Sequence, residues 1–320
     1  MEKQLIFLIK QLITEKEAII DKFQKIRFDL TTKNYLIAKL NINQNKNNFY
    51  DVLSSEETRV ILSANDQGSN YINANWIFNK YIATQHPCNT MNDFWKMIYD
   101  TNTTMILNFD GLIDYIPNID ETTVCDVINI SIEKQHTNKN LVIRYIKLKH
   151  SERSNRFVLH ITYNNWLDKQ IPTELEFINL LNFINMLDTE TKKQIAVHCQ
   201  AGIGRTGTFI CIYEFIQRLT NGEIPDILNI IREMRTARIG MVQNKNQMQF
   251  VLLMILHSAN EYLNKFSSEK KIKNKLTMSC GDEHQMTSSL EKQVKKKNKL
   301  AMSCGSHTYV SNEDPILFLK

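Results

Sequence analysis

The sequence has little of what marks several common protein classes. No apolar run approaches the roughly 20 residues that a membrane-spanning helix needs, and the apolar stretch at 5–9 is too short for the core of a signal peptide. The six cysteines stand at wide spacings, so a disulfide framework is not expected. We therefore expect a soluble protein of the cytoplasm or nucleus, with no membrane partner.

The sequence also has a small net charge and few glycines. Against 39 basic residues stand 34 acidic ones, and the net charge of +5 favours anionic ligands but falls far short of a nucleic-acid binder. The 320 residues include only nine glycines, well below the usual frequency of about 7%. Three of them, Gly202, Gly204 and Gly207, lie within six residues, which indicates an unusual backbone there.

Hydrophobic periodicity predicts helices and strands in alternation. Helical spacing occurs at 5–13, 19–26, 92–99, 174–187, from 206 onwards, at 227–236 and at 245–266. Strand-like runs occur at 58–62, 81–84, 104–107, 124–132, 141–147, 156–163 and 194–197. This order predicts a single α/β (α+β) domain over residues 1–265.

Residues 266–320 differ in character. They are rich in Lys, Ser and Asn, and KNKLTMSCG at 273–281 recurs as KNKLAMSCG at 297–305. We interpret this segment as a duplicated, disordered tail. Alternatively, Cys280, His284, Cys304 and His307 could bind one tetrahedral zinc, although their spacing matches no zinc finger.

The segment VHCQAGIGRTG at 197–207 combines a buried strand, a glycine-rich turn and the start of a helix. Backbone N–H groups of such a turn, together with the positive end of the helix, bind an oxyanion such as phosphate. It is not a nucleotide P-loop, because no Lys-Ser/Thr follows the glycines. The predicted substrate-binding residues of this signature loop are Gln200, Ala201, Gly202, Ile203 and Gly204.

Four further residues of this segment add chemistry to anion binding. The groups that hold a dianion also stabilise a thiolate, so Cys199 is predicted to be a nucleophile. Arg205 can bind two phosphoryl oxygens as a fork. His198 would help to order the loop, and the Thr206 hydroxyl can donate to the sulfur when it leaves. The alternative is a packed cysteine followed by an ordinary turn.

HCQAGIGRTG resembles the signature loop of the protein tyrosine phosphatases, and the resemblance extends over residues 20–260. It includes YINA at 71–74, YIATQ at 81–85, FW at 94–95, GMVQ at 240–243 and the phosphotyrosine-recognition segment KNNFYDV at 46–52. The resemblance implies a twisted mixed sheet flanked by helices, with the signature loop between a central strand and a helix. It implies no metal and no cofactor.

The resemblance also assigns roles outside the signature loop. Asp168, in the position of the family's mobile Trp-Pro-Asp loop, would be the general acid and then the base. Gln243 would orient the hydrolytic water, with Gln247 assisting. Phe49 would stack on the substrate ring, and Asp51 would bind the peptide backbone. The alternatives are a solvated loop aspartate, exposed glutamines, a core aromatic and a turn carboxylate.

Several positions depart from the family pattern. Leu167 replaces the proline of the mobile loop, Lys169 an aromatic residue, Phe49 a tyrosine and His86 a glycine. The segment 108–117 looks shortened and lacks the Glu and Lys that would brace the signature arginine. Because none of these changes touches the nucleophile, the arginine, the acid or the glutamine, we expect an active enzyme with altered rate or peptide preference.

The leading hypothesis is hydrolysis of phosphotyrosine in proteins through a phosphocysteine intermediate. Its alternative is a phosphotyrosine-binding pseudophosphatase that sequesters partners with little turnover. Hydrolysis of phosphoinositides or RNA 5′ ends is a third, disfavoured by the recognition segment. The Asn/Ile/Lys-rich composition also resembles the divergent phosphatases of insect-parasitoid polydnaviruses, which would make the chain a virulence factor in host-cell cytoplasm.

Overall fold

The structure is a computed structural model that describes residues 1–26, 34–63, 70–191 and 194–279. The chain divides into two units, Met1–Leu263 and Asn264–Lys320, and the first contains every described strand. Most of the predicted tail, with both repeats' cysteines and the four possible zinc ligands, lies outside the described residues. The prediction that it is disordered stays a prediction.

The helices largely follow the predicted periodicity. In α1 the buried residues are Leu5, Leu8 and Leu12, which share one face of the helix. The helix α8 begins after Asp226, whose side chain accepts bonds from two backbone N–H groups of the first turn. The helices are α1 Glu2–Thr14, α2 Lys16–Lys25, α3 Leu36–Lys39, α4 Asn41–Gln44, α5 Met91–Asp100, α6 Glu174–Thr191, α7 Gly204–Thr220, α8 Ile227–Ala237 and α9 Lys245–Ser279.

Nine strands form one mixed sheet in the order β1-β2-β3-β9-β4-β8-β7-β6-β5. The inner pairs β3–β9, β9–β4 and β4–β8 are parallel, and the outer pairs are antiparallel. This arrangement confirms the predicted mixed sheet flanked by helices. The strands are β1 Arg59–Ile61, β2 Tyr71–Ile77, β3 Tyr81–Gln85, β4 Met105–Asn108, β5 Thr122–Cys125, β6 Ile128–Asn138, β7 Leu141–His150, β8 Arg156–Tyr163 and β9 Ile195–Cys199.

Both faces of the central strands are covered. In β3, Tyr81 contacts α7 through Glu214 and Tyr213, whereas Ile82 lies in a core cluster with Trp95 of α5 on the other face. Ile195 to Cys199 of β9 are all buried. A strand of a parallel sheet that is buried on both faces is expected to be apolar along most of its length. In β9 the residues with reactive or polar side chains, His198 and Cys199, stand at its carboxyl end.

Two predicted elements differ in the structure, and one strand was not predicted. The strand β2 was not predicted although apolar residues alternate with asparagine over 72–76; both asparagines are buried, and they donate to the Val52 and Ser55 carbonyls. The predicted strand at 124–132 is a hairpin, since the chain turns at Asp126 with a φ of 54°. Helix α9 continues past the predicted end to Ser279. In the described part of the chain, no helix is long and apolar enough to span a bilayer.

Candidate active site

The signature loop lies at the carboxyl end of β9, between the ends of β3 and β4. Cys199 is the last residue of β9, and α7 begins at Gly204. Ligands of open α/β sheets bind at this edge. Gly202 has a φ of +66°, and a Cβ there would lie 2.1 Å from the carbonyl oxygen of Thr84. The close approach of β3 therefore requires glycine at position 202.

A buried arginine that the sequence analysis did not identify, Arg238, binds the backbone of the signature loop. Arg238 donates from Nε to the Gly202 carbonyl and from Nη2 to the Ala201 carbonyl, each at 2.9 Å. Its Nη1 donates to Asn75 Oδ1 at 2.8 Å. These bonds orient the two loop carbonyls toward Arg238. A basic residue at the end of an otherwise apolar helix face was the available signal.

The structure brings together the predicted nucleophile and two of its predicted partners. The Thr206 hydroxyl donates to Cys199 Sγ at 3.3 Å, and the sulfur's residue is only 3% exposed. The fully buried His198 contacts the Tyr115 hydroxyl through Nε2 at 2.7 Å. The four cysteines in the described residues, at 88, 125, 199 and 211, carry free thiols.

Arg205 connects three segments. Its Nη1 donates to the carbonyls of Phe109 and Trp166, each at 2.8 Å, and its Nη2 lies 3.2 Å from Asp168 Oδ1. Within the described residues, Nε has no hydrogen-bond partner. The two backbone carbonyls take the place of the missing Glu and Lys brace. An oxyanion can bind Nε directly, and it can bind Nη2 in competition with Asp168.

The loop that carries Asp168 is anchored by its tryptophan. Trp166 is 2% exposed and packs against Phe109 in a tilted arrangement and against Phe177 edge to face, with ring centroids 5.2 and 5.4 Å away; its Nε1 donates to the Gln170 carbonyl. Leu167 is exposed, and Lys169 has a φ of 59°. The Asp168 side chain is 53% exposed, so its pair with Arg205 is open to solvent. Although this loop lacks the family's proline, Asp168 still lies within ion-pair distance of Arg205.

Both predicted water-binding glutamines lie against the signature loop. A Cβ on Gly204 would stand 2.9 Å from Gln243 Oε1 and 3.0 Å from Gln247 Nε2. The Gln243 N–H donates to Gln247 Oε1 at 2.8 Å, and Gln247 is 1% exposed with Nε2 unpartnered among the described residues. A buried free donor beside the loop can bind a water molecule or a phosphoryl oxygen.

The recognition segment is attached to the end of β3. Asn48 donates its backbone N–H to Gln85 Oε1 at 3.0 Å and its Nδ2 to the His86 carbonyl at 2.7 Å. Gln85 pairs with Cys199 in the sheet register. Phe49 is 38% exposed and Asp51 is exposed. The segment is thus held beside the signature loop, with both predicted substrate contacts accessible.

Two departures from the family pattern meet in space. His86, in place of a glycine, donates its N–H to the Gln200 carbonyl, and its ring lies 3.2 Å from Asp110 and 2.7 Å from Asp114. Both carboxylates belong to the shortened segment. Burial opposes charge on both His86 and Asp110, but their mutual contacts, with His198 on Asp110, raise the pKa of His86 and lower that of Asp110.

The family model described as Protein-tyrosine phosphatase matches residues 43–257. The chain belongs to the protein-tyrosine phosphatase family. The match includes β9, the signature loop, Arg238 and both glutamines, so the geometry described above lies within the family domain.

Similar proteins agree with this assignment. The chain is 32% identical over 236 residues to mouse tyrosine-protein phosphatase non-receptor type 20, covering 67% of this chain and 54% of that protein. It is 32% identical to human receptor-type tyrosine-protein phosphatase C over 72% of this chain and 19% of that protein. For Dictyostelium discoideum tyrosine-protein phosphatase 2 the values are 33%, 63% and 58%. The chain therefore spans about half the length of these relatives or less.

Proposed function

We propose that this chain hydrolyses phosphotyrosine in proteins through a phosphocysteine intermediate on Cys199. The observation that carries the proposal is the set of contacts that Thr206, Arg205 and Asp168 make at the signature loop. The Thr206 hydroxyl lies 3.3 Å from Cys199 Sγ, and Arg205 keeps its Nε without a partner among the described residues while its Nη atoms bond to Trp166 and Asp168 of the mobile loop. Membership of the family supports the same reaction.

In the first step the Cys199 thiolate attacks phosphorus. The new S–P bond forms as the P–O bond to the tyrosine breaks, and Asp168 gives its proton to the departing phenolate oxygen. Arg205 and the N–H groups of residues 200–204 hold the equatorial oxygens as their charge is redistributed. His198, fixed by Tyr115, keeps the end of β9 in place.

In the second step water attacks the phosphocysteine. Gln243 and Gln247 hold the water, Asp168 takes its proton, and a P–O bond forms as the S–P bond breaks. The Thr206 hydroxyl stabilises the leaving thiolate by donating a hydrogen bond to it. The products are inorganic phosphate and the free thiolate. The two proposed steps use only this chain's own groups and water, without a metal or a cofactor.

The proposed substrate class depends on the recognition segment. We assign stacking on the tyrosine ring to Phe49 and a hydrogen bond from the peptide backbone to Asp51; the bonds of Asn48, which hold their segment beside β3, support this assignment. A site lined at its rim in this way favours the long phosphotyrosine side chain over phosphoserine. We further propose that the protein acts in the cytoplasm, of a host cell if the chain is viral, where phosphotyrosine proteins are its partners.

The test is hydrolysis of one phosphotyrosine and one phosphoserine peptide by the unmodified chain. Cys199→Ser should abolish turnover, with exposed Cys88→Ser as its matched control. Asp168→Asn should lower kcat by at least about 10²-fold, whereas exposed Asp120→Asn should leave it unchanged.

The same assay can overturn the proposal. If the unmodified chain binds the phosphotyrosine peptide but turns over no faster than Cys199→Ser, the protein is a sequestering pseudophosphatase. If the phosphoserine peptide is hydrolysed as fast as the phosphotyrosine peptide, the substrate class is wrong although the chemistry stands.

A further inference from the structure

Three side chains from neighbouring segments converge next to the start of the signature loop. His86 follows β3, Asp110 follows β4, and His198 belongs to β9, which lies between those strands. Asp110 Oδ2 is 3.2 Å from His86 Nδ1 and 3.6 Å from His198 Nδ1. The three atoms lie within 4.8 Å of one another, and the side chains are 4%, 1% and 0% exposed in the order His86, Asp110, His198.

The three converging atoms are the ones left without hydrogen-bond partners. His86 Nδ1, His198 Nδ1 and Asp110 Oδ2 are buried and have no partner of hydrogen-bonding geometry within the described residues. The ion pairs of Asp110 with the two imidazoles offset part of the cost of burying these atoms, but none of the three atoms is satisfied by a hydrogen bond of good geometry.

The far side of each imidazole is already engaged. His86 Nε2 contacts Asp114 Oδ1 at 2.7 Å, and His198 Nε2 contacts the Tyr115 hydroxyl at 2.7 Å. Tyr115 contacts His160 Nε2 at 2.7 Å in turn. When each imidazole is neutral with its proton on Nε2 and Tyr115 donates onward to His160, as metal binding requires, both Nδ1 lone pairs face Asp110. Metal-binding histidines are oriented by outer partners in this way.

The distances fit a small divalent ion. Ligand atoms of a tetrahedral zinc site, about 2.0–2.1 Å from the ion, stand roughly 3.3–3.4 Å apart. The two measured edges, 3.2 and 3.6 Å, bracket that value. With the third edge no longer than 4.8 Å, the point in the plane of the three atoms that is equidistant from them lies at most about 2.4 Å from each, so small side-chain shifts are needed to bring all three within bonding distance of a zinc ion.

We propose that His86, Asp110 and His198 form a binding site for a zinc ion, with water as the fourth ligand. The ion would join the ends of β3 and β9 to the segment after β4, where the Glu and Lys brace is missing. It stabilises the backbone around the signature loop and takes no part in bond making or breaking. The site does not depend on the proposed phosphatase activity.

Zinc binding is tested on the full chain, stripped with a chelator and carrying Cys280→Ser and Cys304→Ser to remove the tail thiols. Zinc is titrated against a chromophoric chelator, and Tm is followed with increasing zinc. We expect one equivalent bound and a Tm that rises with zinc concentration. His86→Gln and Asp110→Asn should each weaken binding at least about 100-fold, and Asp114→Asn by 10- to 100-fold. Exposed His257→Gln is the matched control and should bind as the parent does.

Cobalt supplies a readout that needs no site variant to fold. Co²⁺ bound by two imidazoles, a carboxylate and water gives tetrahedral visible absorption without a thiolate charge-transfer band, whereas binding at Cys199 would produce that band. The proposal is overturned if the parent binds no zinc, if His86→Gln and Asp110→Asn bind as the parent does, or if cobalt shows thiolate ligation. The three residues are then an ion-paired cluster.

Discussion

Arg238→Met tests whether the buried arginine holds the signature loop. The methionine keeps much of the side-chain volume but removes three hydrogen bonds, to Gly202, Ala201 and Asn75. Hydrogen bonds from a charged group contribute about 1.5–3 kcal/mol each, and a buried acceptor left unpaired costs about 1–3 kcal/mol.

Part of that loss is offset. Burial of the guanidinium is itself unfavourable and lowers the pKa of Arg238 to about 10, so removing the charge relieves a cost. We therefore expect the free energy of unfolding to fall by about 3–5 kcal/mol rather than by the full sum. For a domain of this size the corresponding fall in Tm is roughly 6–20 °C.

The measurement is urea unfolding followed by tryptophan fluorescence. Arg232→Met on the exposed face of α8 is the matched control, because Arg232 makes one exposed hydrogen bond to Asn229, and we expect a change within about 0.5 kcal/mol. Binding of inorganic phosphate by folded Arg238→Met should also weaken, since the loop carbonyls are then free to turn inward. A loss below about 1 kcal/mol, with phosphate binding intact, would refute the role assigned to Arg238.

Three further changes follow from the described contacts. Gly202→Ala, which forces a Cβ to 2.1 Å from the Thr84 carbonyl, should abolish turnover and lower Tm; an unchanged Tm would contradict the close approach. Glu176 has a lowered pKa, chiefly because the Thr173 hydroxyl donates to it, so its stabilisation is present above about pH 4.3 and lost as pH falls. Glu176→Gln should therefore flatten the dependence of unfolding free energy on pH below that value; a slope like the parent's would refute this. Lys169→Asn should raise the unfolding free energy by up to about 1 kcal/mol in urea, because asparagine tolerates the φ of 59° better; a loss would show that the lysine side chain contributes.

The central part of the site could be predicted from the sequence because its constraints are local. Three glycines within six residues, a preceding buried strand and a following helix specify one turn, and Cys199, Arg205 and Thr206 then have fixed places in it. The same holds for α1 and α5, whose apolar spacing is regular. Local pattern and global fold agree in these elements.

Other features depend on residues far apart in sequence. In β2 the polar residues Asn73 and Asn75 are buried and donate to the Val52 and Ser55 carbonyls, and the turn at Asp126 required a left-handed residue that no glycine marks. The contact of His86 with Asp110 could not be predicted either. Each departure was visible alone, but only the parallel register of β3, β9 and β4 brings them together.

The ion pair between Arg205 and Asp168 competes with the binding of anions to Arg205. Nη2 is one of two donors that the guanidinium offers to an oxyanion, and in this structure the Asp168 carboxylate already occupies it at 3.2 Å. The guanidinium is buried but the carboxylate is about half exposed, so the pair is worth on the order of 1 kcal/mol and lowers the affinity for simple anions by about fivefold. Neutralising that carboxylate should therefore tighten the binding of inert sulfate while it slows turnover. Affinity and rate would move in opposite directions, so tight binding of a buffer anion is no measure of a good catalyst here.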